Sequence, residues 1–360
     1  MHSKGVISLM AVAALSVVVA AAVSMTGGAV PVDPLAGKPV LARVAAKPED
    51  VAKVIVKRST GTATFVRQGN AWSVAEKSGY PADAAKMRKM LLGLAEITYV
   101  EPKTAEPNLY KRLNVEDPSA QKSQSALVEV YDGQGGALGS VIAGRRRIDE
   151  LGGGADGVYL RLPNDARSWL ARGTLDLDSD IVQWLDRRIV DVGEKRTKQA
   201  VLQQPDGTTL TIDRDKPEDK FAAKDLPAKR KLKSDTGMVE PATALQAFDL
   251  TDVKAASEAA FPKDGISTAT YTTFDGLAVK VELAKLGESD WIRLSATGSG
   301  DDKVKAEADT LNKRWSPWVY GIAPYKAGAL RTKVDDLLEP PPVPQAGAQS
   351  TPAAPLPQKK

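Results

Sequence analysis

The sequence predicts an α+β protein with duplicated antiparallel β-sheet units, each with one or two packing helices, after an N-terminal transmembrane helix. Three observations support this prediction. Short segments alternate apolar and polar residues, few segments show helical periodicity, and the order of segments is similar in the two halves of the chain. Period-two alternation places apolar side chains on one face of a strand, which is typical of antiparallel sheets with one buried face.

The N-terminal segment is expected to be a membrane anchor. No charged residue lies between Lys4 and Asp33, and Val6–Val23 is apolar apart from two serines. A helix needs about 20 such residues to span the bilayer core. We therefore assign residues 1–25 to the anchor and residues 26–47, which are rich in Gly, Pro and small side chains, to a linker.

This segment is either an uncleaved anchor or a cleaved export signal. Ala20–Ala22 provides a small-residue cleavage site, but the apolar run exceeds the roughly 7–15 residues that an export signal needs. The length favours an uncleaved anchor. A cation before an apolar helix orients the N-terminus towards the cytoplasm. We therefore expect a single-pass protein of the inner (cytoplasmic) membrane with the bulk of the chain in the periplasm.

The first half predicts three strands followed by a helix. The strands are expected at Val51–Lys57, Ala63–Gln68 and Trp72–Val74, with a turn at Gly69-Asn70. A helix is expected from Pro81, because apolar residues follow it at helical spacing. These residues are Met87, Met90, Leu91 and Leu94. The first α+β repeat is assigned to residues 48–186.

The second half, residues 187–338, predicts the same order. Its strands are expected at Ile189–Val192, Gln199–Gln203 and Leu210–Ile212, and its helix begins near Glu240 and contains Ala244, Leu245 and Phe248. Two later pairs of segments also match, and each half is expected to end in a helix headed by polar residues. The segments concerned are Ala126–Gly133 with Ala269–Gly276, Tyr159–Leu162 with Trp291–Leu294, and the helices 180–186 and 301–315.

This alignment of the halves makes specific statements about the core. Leu91 is expected to match Leu245, each packed against its own sheet, and Trp72 is expected to match Leu210. All four side chains should then be buried. The last residues, 339–360, form a Pro/Ala/Gln-rich tail that is expected to be disordered because it contains too little apolar bulk to fold.

Several segments resemble those of a known family. Besides the anchor, the hairpin into Trp72 and the helix from Pro81, they are Tyr110-x-x-Leu113, Asp117-Pro118, Gly144, Tyr159–Arg161 and Trp318–Tyr320. Over residues 48–338 the chain resembles the bacterial 4340 family of domains of unknown function. Arg112-Leu113-Asn114 departs from the usual Gly-Leu-Asp of that family. The resemblance implies a membrane-anchored envelope protein that accompanies gliding-motility-type ABC transporters, and it supplies no catalytic residues.

The composition excludes several classes of function. The 360 residues contain no Cys and one His, which is His2 in the cytoplasmic stub, so a His-based triad or His-ligated zinc site outside the membrane is excluded. A net charge of +4 without a basic face is not typical of nucleic-acid binding. We therefore predict no catalytic residue, cofactor or metal site. A glycosidase that uses two carboxylates remains the enzymatic alternative.

Two acidic or hydroxyl motifs have both a functional and a structural interpretation. Asp176, Asp178 and Asp180 alternate as in a calcium loop, but Ile181 and Arg187 stand where the loop needs Gly and Glu, so a helix cap by Asp178 or Ser179 is favoured. Ser119-x-x-Lys122 resembles an acyltransferase motif without its companion elements, so a polar loop is favoured.

Two basic segments and one aromatic group complete the candidates. Arg145–Arg147 before Gly152–Gly154 could bind an anion, although a solvated loop is favoured because the glycines lead into a strand. Lys224–Lys233 is expected to be a solvent-facing insertion, with contact to anionic polymer or lipid as the alternative. Trp318 and Tyr320, on one strand face, and nearby Tyr325 are the candidates for a partner surface, although burial is favoured for them.

The resulting prediction is a non-catalytic accessory or interaction subunit in the inner membrane. It is expected to bind a protein partner in the membrane or periplasm, such as part of an ABC-type transport system, and no nucleic acid. An envelope glycan- or polymer-binding module is the alternative, motivated by the Pro-rich tail and the basic insertion.

The topology can be tested with a reporter that is active only outside the cytoplasm. Fused after Leu338, it should be active, because the cation before the apolar segment holds the N-terminus inside. Mass analysis of the purified chain should find Met1 or His2 still present. A mature N-terminus near Val23 would show that the segment is a cleaved signal.

Overall fold

The computed structural model describes residues 33–148, 156–224, 226–227 and 230–340. The predicted anchor and nearly all of the predicted tail lie outside these residues. In the part of the chain that is described, no helix is long and apolar enough to cross a membrane. The chain divides into two compact units with the boundary between Asp186 and Arg187.

Within the described residues, the first unit contains a nine-stranded antiparallel sheet in the order β4-β3-β2-β1-β6-β7-β8-β9-β5. Its strands are β1 Val51–Arg58, β2 Gly61–Gln68, β3 Ala71–Val74, β4 Tyr80–Pro81, β5 Thr98–Pro102, β6 Ala126–Asp132, β7 Ala137–Arg147, β8 Gly157–Arg161 and β9 Ser168–Arg172. Its α-helices are α1 Ala42–Ala46, α2 Ala84–Glu96 and α3 Tyr110–Leu113.

The second unit contains a sheet of the same size in the order β10-β14-β18-β17-β16-β15-β11-β12-β13. Its strands are β10 Arg188–Val190, β11 Thr197–Gln203, β12 Thr209–Asp213, β13 Ala222–Ala223, β14 Phe248–Ala255, β15 Ser267–Thr273, β16 Leu277–Leu286, β17 Ser289–Gly298 and β18 Trp318–Ile322. Its α-helices are α4 Val239–Ala242, α5 Asp302–Trp315, α6 Pro324–Leu330 and α7 Val334–Leu337.

The strands form where the sequence alternates. In β6, Ala126, Val128 and Val130 are buried and the residues between them are partly exposed, so one face of the strand supplies the core. The turn at Gly69-Asn70 joins β2 to β3, with Gly69 at a φ of 62°, a conformation that glycine adopts without a steric penalty. The predicted α+β class with antiparallel sheets is confirmed.

The two sheets share one strand order when β1 is matched with β11. The order β3-β2-β1-β6-β7-β8-β9-β5 then corresponds to β13-β12-β11-β15-β16-β17-β18-β14. The match extends to the edge, where an isolated bridge from Pro39 to Thr98 lies beside β5 just as β10 lies beside β14. The C-terminal end of each unit also pairs back, through the bridges Ala82–Leu185 and Leu232–Leu338.

The alignment of the two halves predicted from the sequence is wrong by one strand for the first three strands of each half, whereas the two later pairs are confirmed, because β6 corresponds to β15 and β8 to β17. The segment at Ile189 is the edge strand β10, whereas β11 has the place of β1 in its sheet. Alternation identifies a strand but not its neighbours, which depend on contacts distant in sequence. As a consequence, Trp72 does not match Leu210. Leu210 is buried, but Trp72 is partly exposed.

Two predicted helices are also wrong. The helix near Glu240 ends at Ala242, Leu245 lies in a turn, and Phe248 begins strand β14, which hydrogen-bonds to β18 and β10. Sheet pairing therefore overrides an apolar spacing that fits a helix. The segment 180–186 contains only a 3₁₀ turn, Ile181–Trp184. Helix α5 forms as predicted, with the Asp301 carboxylate accepting from the Lys303 N–H at 3.0 Å.

The structure packs part of the predicted linker onto the first unit. Val40, Leu41 and Val44 are buried, and the main chain of Val40 donates to the Ile97 carbonyl at 2.9 Å. The short helix α1 contains Val44 and contacts helix α2. The residues after Asp33 therefore belong to the first unit.

Helix α2 offers a matched pair of substitutions that tests its packing. Leu94 is fully buried, whereas Leu92 is 51% exposed. Truncation of Leu94 to Ala should destabilise the chain by about 2–5 kcal/mol because it removes core contacts and leaves a cavity. Leu92→Ala should change the unfolding free energy by about 0.5 kcal/mol or less. Equal losses in chemical denaturation would show that the helix packs differently.

In the second unit, Arg196 joins three elements at the start of β11. Its guanidinium donates to Asp275 at 2.9 Å in the β15–β16 turn and to both oxygens of Glu307 in α5, at 2.7 and 2.6 Å. Partial burial opposes ionisation of Asp275, but hydrogen bonds from Arg196 and Thr273 outweigh it and lower the pKa of that carboxyl. The ionised carboxylate therefore stabilises the folded state.

This network predicts a pH dependence. Because the folded pKa of Asp275 is lowered, its contribution is complete above the unfolded value of about 3.9 and is lost as the pH falls through the folded value. Arg196→Met should therefore destabilise the chain at pH 7 by about 1 kcal/mol, since the groups are partly exposed, and by less below pH 4. Denaturation at both pH values measures this difference. Lys195→Met, at the exposed neighbouring residue, is the control.

Candidate functional site

A long apolar groove lies on the first unit beside helix α2. Its volume is about 610 Å³, and its apolar lining includes Val51, Ala71, Trp72, Met87, Leu91 and Leu92. One wall is helix α2, and the other is formed by the 3₁₀ turn Pro48–Asp50 and strand β3. The groove therefore exposes apolar surface between a helix and a sheet edge.

The sequence of helix α2 produces its wall of the groove. Asp83 caps the helix by accepting from the N–H groups of Ala85 and Lys86 at 2.8 and 2.9 Å. Met87, Met90 and Leu94 recur at helical spacing and face the core. Leu91 and Leu92 extend the apolar surface beyond that stripe, so the helix has more apolar surface than its own unit covers.

The opposite wall is held in place by Arg67. Its guanidinium donates to the carbonyl of Glu49 at 2.8 Å and its Nε to the carbonyl of Gly69 at 3.0 Å. These bonds fix the 3₁₀ turn against the β2–β3 hairpin. Trp72 lies opposite Arg67 in the strand pairing and contributes its partly exposed ring to the groove.

The rim of the groove is polar and contains both signs of charge. Glu49, Arg67, Asn70, Arg88 and Glu96 surround the apolar floor. An apolar floor with a charged rim suits an amphipathic peptide segment, whose apolar residues enter the groove and whose polar residues stay at the edge.

Two residues that line the groove are less buried than the sequence predicted. Leu91 and Trp72 were both expected in the core, and both are only partly buried. The sequence analysis did not identify the groove. The adjacent Leu91-Leu92 pair was a signal that could have found it, since one of two successive leucines on a helix lies away from the main stripe.

The structure distributes the alternating aspartates among different partners. Asp176 pairs with Lys89 at 2.8 Å, and Asp178 pairs with Lys86 at 3.4 Å. The hydrogen bond from Lys89 lowers the pKa of Asp176 despite partial burial. Among the described residues, no group of three or more His, Cys, Asp or Glu could hold a metal ion.

The cap in this segment is one residue from its predicted position. Asp180, and not Asp178 or Ser179, accepts from the N–H of Val182 at 3.0 Å and begins the 3₁₀ turn. The structural interpretation of the three aspartates therefore holds, with the capping residue corrected.

The basic segments are largely paired. Arg145 and Arg147 lie over the Tyr159 ring at 5.6 and 5.9 Å from its centroid, and Arg146 pairs with Asp156 at 3.4 Å. Gly152–Gly154 lie outside the described residues.

In the segment Lys224–Lys233, three basic side chains have acceptors. Lys224 pairs with Asp213, Arg230 pairs with Asp335, and Lys233 donates to the carbonyl of Asp336 at 2.8 Å. The last two contacts join the segment to helix α7. The described cations therefore contact their own unit, while Lys224 and Lys233 remain exposed, as expected for a solvent-facing segment.

The aromatic group suggested as a partner surface is not a continuous patch. Tyr320 is buried, Trp318 is partly exposed, and Tyr325 is 65% exposed. Of the three side chains, Tyr325 is therefore the one that is mainly exposed.

Ser119 and Lys122 lie on a different concave surface, at the closed end of the β1–β2 hairpin. The Ser119 hydroxyl donates to Asp117 at 2.7 Å, within its own turn. No bond from Ser119 to Lys122 is present, so these residues lack the contact that an activated nucleophile needs.

Comparison with protein families gives one match. The family model described as Domain of unknown function (DUF4340) matches residues 72–264, more than half of the 360-residue chain. The match runs from strand β3 in the first unit to the segment before β15 in the second, and it includes helix α2. A search of curated proteins finds no match to the chain.

Proposed function

We propose that this chain, which belongs to the DUF4340 family of domains of unknown function, is a membrane-anchored interaction subunit that binds a protein partner through the α2 groove. The observation that carries the proposal is the groove itself. It combines an apolar floor of about 610 Å³ with a charged rim and a leucine, Leu92, that is 51% exposed. A concave, mostly apolar surface with a few polar groups at its edge is the usual form of a binding site.

The partner is expected to present an amphipathic helix. A helix inserts apolar residues at spacings of three and four into a groove and keeps its polar residues at the rim. The rim residues Arg88 and Glu96, eight positions apart on helix α2, place opposite charges along the groove. A partner helix with the reverse order of charges would fit this rim.

The N-terminal sequence supports an envelope location for this function. The apolar segment at residues 1–25 is long enough to anchor the chain, and Asp33 begins the part that packs on the first unit. We therefore propose a single-pass inner-membrane protein whose first unit lies close to the periplasmic face of the membrane. An ABC-type transport system is the proposed assembly, as the family resemblance implies.

The polymer-binding alternative has less support. Three cations of the basic segment Lys224–Lys233 are engaged by acceptors of the second unit. The remaining argument for an envelope polymer is the composition of the Pro-rich tail.

We also propose that the two units arose by duplication within the chain. Their strands follow the same order over eight positions, and a further pairing segment lies at the same edge, the bridge at Pro39 beside β5 and strand β10 beside β14. Helix α5 has no counterpart between β8 and β9, so the second unit gained a helix or the first unit lost one.

A single charged substitution in the groove tests whether the partner binds there. Leu92→Asp should abolish co-purification of the partner from mild detergent, because a carboxylate in the apolar floor would have to be desolvated on binding. Quantitative mass spectrometry of proteins cross-linked to the full chain measures the loss. The melting temperature should stay unchanged, since Leu92 is exposed.

The matched control is Ile148→Asp. Ile148 is 68% exposed in the same unit and does not line the groove. Proteins lost with Leu92→Asp and retained with Ile148→Asp are the expected partners, and transporter subunits among them support the proposed assembly. If both variants retain the same proteins as the native chain, the groove is not the binding surface.

A further inference from the structure

A second concave surface of the first unit lies at the closed end of the β1–β2 hairpin. This surface, the hairpin cleft, has a volume of about 560 Å³. Its walls are the hairpin residues Lys57–Ser59 with Thr62 and the loop Asp117–Lys122. A smaller cavity of about 300 Å³ also borders Arg58 and Thr62 but faces Asp178–Ile181.

Arg58 differs from the buried arginines of this chain. Arg161 is buried, its Nε donates to the carbonyl of Val115 at 3.0 Å, and its Nη1 lies 3.4 Å from three further carbonyls that accept from it. Arg214 is bound in the same way, with its Nε on the carbonyl of Thr197 at 3.0 Å. Backbone carbonyls thus satisfy both guanidinium groups.

The Arg58 guanidinium is only partly satisfied. One terminal nitrogen donates to the carbonyl of Leu177 at 2.5 Å, and the buried Nε has no hydrogen-bond partner among the described residues. A buried donor without a partner destabilises the folded chain. A guanidinium with donors to spare at the wall of a cleft is suited to a ligand that accepts hydrogen bonds.

The charges of the hairpin cleft favour an anion. Lys122 is exposed, makes no ion pair among the described residues, and is held at a φ of 61°, which is uncommon for a residue other than glycine. Lys57 is engaged by Glu129 at 2.8 Å. The one acid of the lining, Asp117, accepts from the N–H of Ser119 at 2.9 Å and from its hydroxyl at 2.7 Å.

The two cavities beside Arg58 therefore differ in sign. In the hairpin cleft the hydrogen bonds from Ser119 lower the pKa of Asp117, so this carboxylate stays ionised and places one negative charge beside Arg58 and the exposed Lys122. In the smaller cavity Asp178 and Asp180 line the same space as Arg58, and an anion there would meet two carboxylates. Lys122 therefore gives the hairpin cleft the more favourable balance of charges for an anion.

We propose that the hairpin cleft is a binding site for an oxyanion, a carboxylate or phosphate group carried by a small molecule or polymer. Arg58 supplies planar N–H donors, Lys122 supplies an exposed cation, and Thr62 lies in the same lining. The site is separate from the α2 groove and does not depend on the proposed partner. It also gives Lys122 a role that needs no nucleophilic Ser119.

Equilibrium dialysis of the full chain in mild detergent tests this site. Radiolabelled inorganic phosphate and radiolabelled glutarate are the two probes, and saturable binding of one identifies the class of anion. Arg58→Gln and Lys122→Gln should each weaken that binding by about tenfold or more, because each removes a charged donor. Raising the ionic strength should weaken it as well.

The control is Arg112→Gln, an exposed arginine of helix α3 that does not line the cleft. It should bind the probe as the native chain does. If Arg58→Gln lowers the melting temperature, Lys122→Gln decides, since its side chain is exposed. Unchanged binding by Lys122→Gln, an equal loss with Arg112→Gln, or no saturable binding of either probe overturns the proposal.

Discussion

The first unit is shaped by the need to cover a wide sheet with little helix. Nine strands at about 4.8 Å spacing extend over about 43 Å, whereas the 13-residue helix α2 is about 20 Å long. One helix of this length covers part of a sheet face. The apolar groove lies at the side of α2, where Trp72, Leu91 and Leu92 remain partly or largely exposed. The groove therefore results from a sheet that is wider than helix α2 can cover.

The two units have the same strand order, but different contacts stabilise them. The second unit has helix α5 between β17 and β18, and Arg196 holds this helix to the β15–β16 turn and the start of β11. In the first unit the corresponding strands β8 and β9 are joined by a loop. The groove and the hairpin cleft both lie in the first unit.

Most of the charged side chains described above are paired within their own unit. Arg161 and Arg214 are buried and bonded to backbone carbonyls, so they organise loops in their own units. The aspartates at 176 and 178 are paired with lysines of helix α2. Arg58 and Arg230 each have a buried Nε without a hydrogen-bond partner among the described residues, but only Arg58 also lines the hairpin cleft. A buried donor left without a partner inside the protein calls for an explanation, and a bound ligand would supply one for Arg58.

The sequence by itself determined the fold class, the family and several of the individual strands and helices. Period-two alternation identified β1, β2 and β3, Pro81 and the apolar spacing after it identified helix α2, and the motifs identified the family. These features depend on residues close together in the chain, and their physical causes are therefore readable from it.

Only the tertiary structure decided which strands are neighbours and which apolar residues stay exposed. Phe248 begins a strand because β18 and β10 supply its hydrogen bonds, and Ile189 lies at a sheet edge and not in the place of β1. Trp72 and Leu91 line a groove because no described element covers them. Burial and pairing depend on partners far away in sequence, whereas hydrophobicity and periodicity are properties of each segment alone.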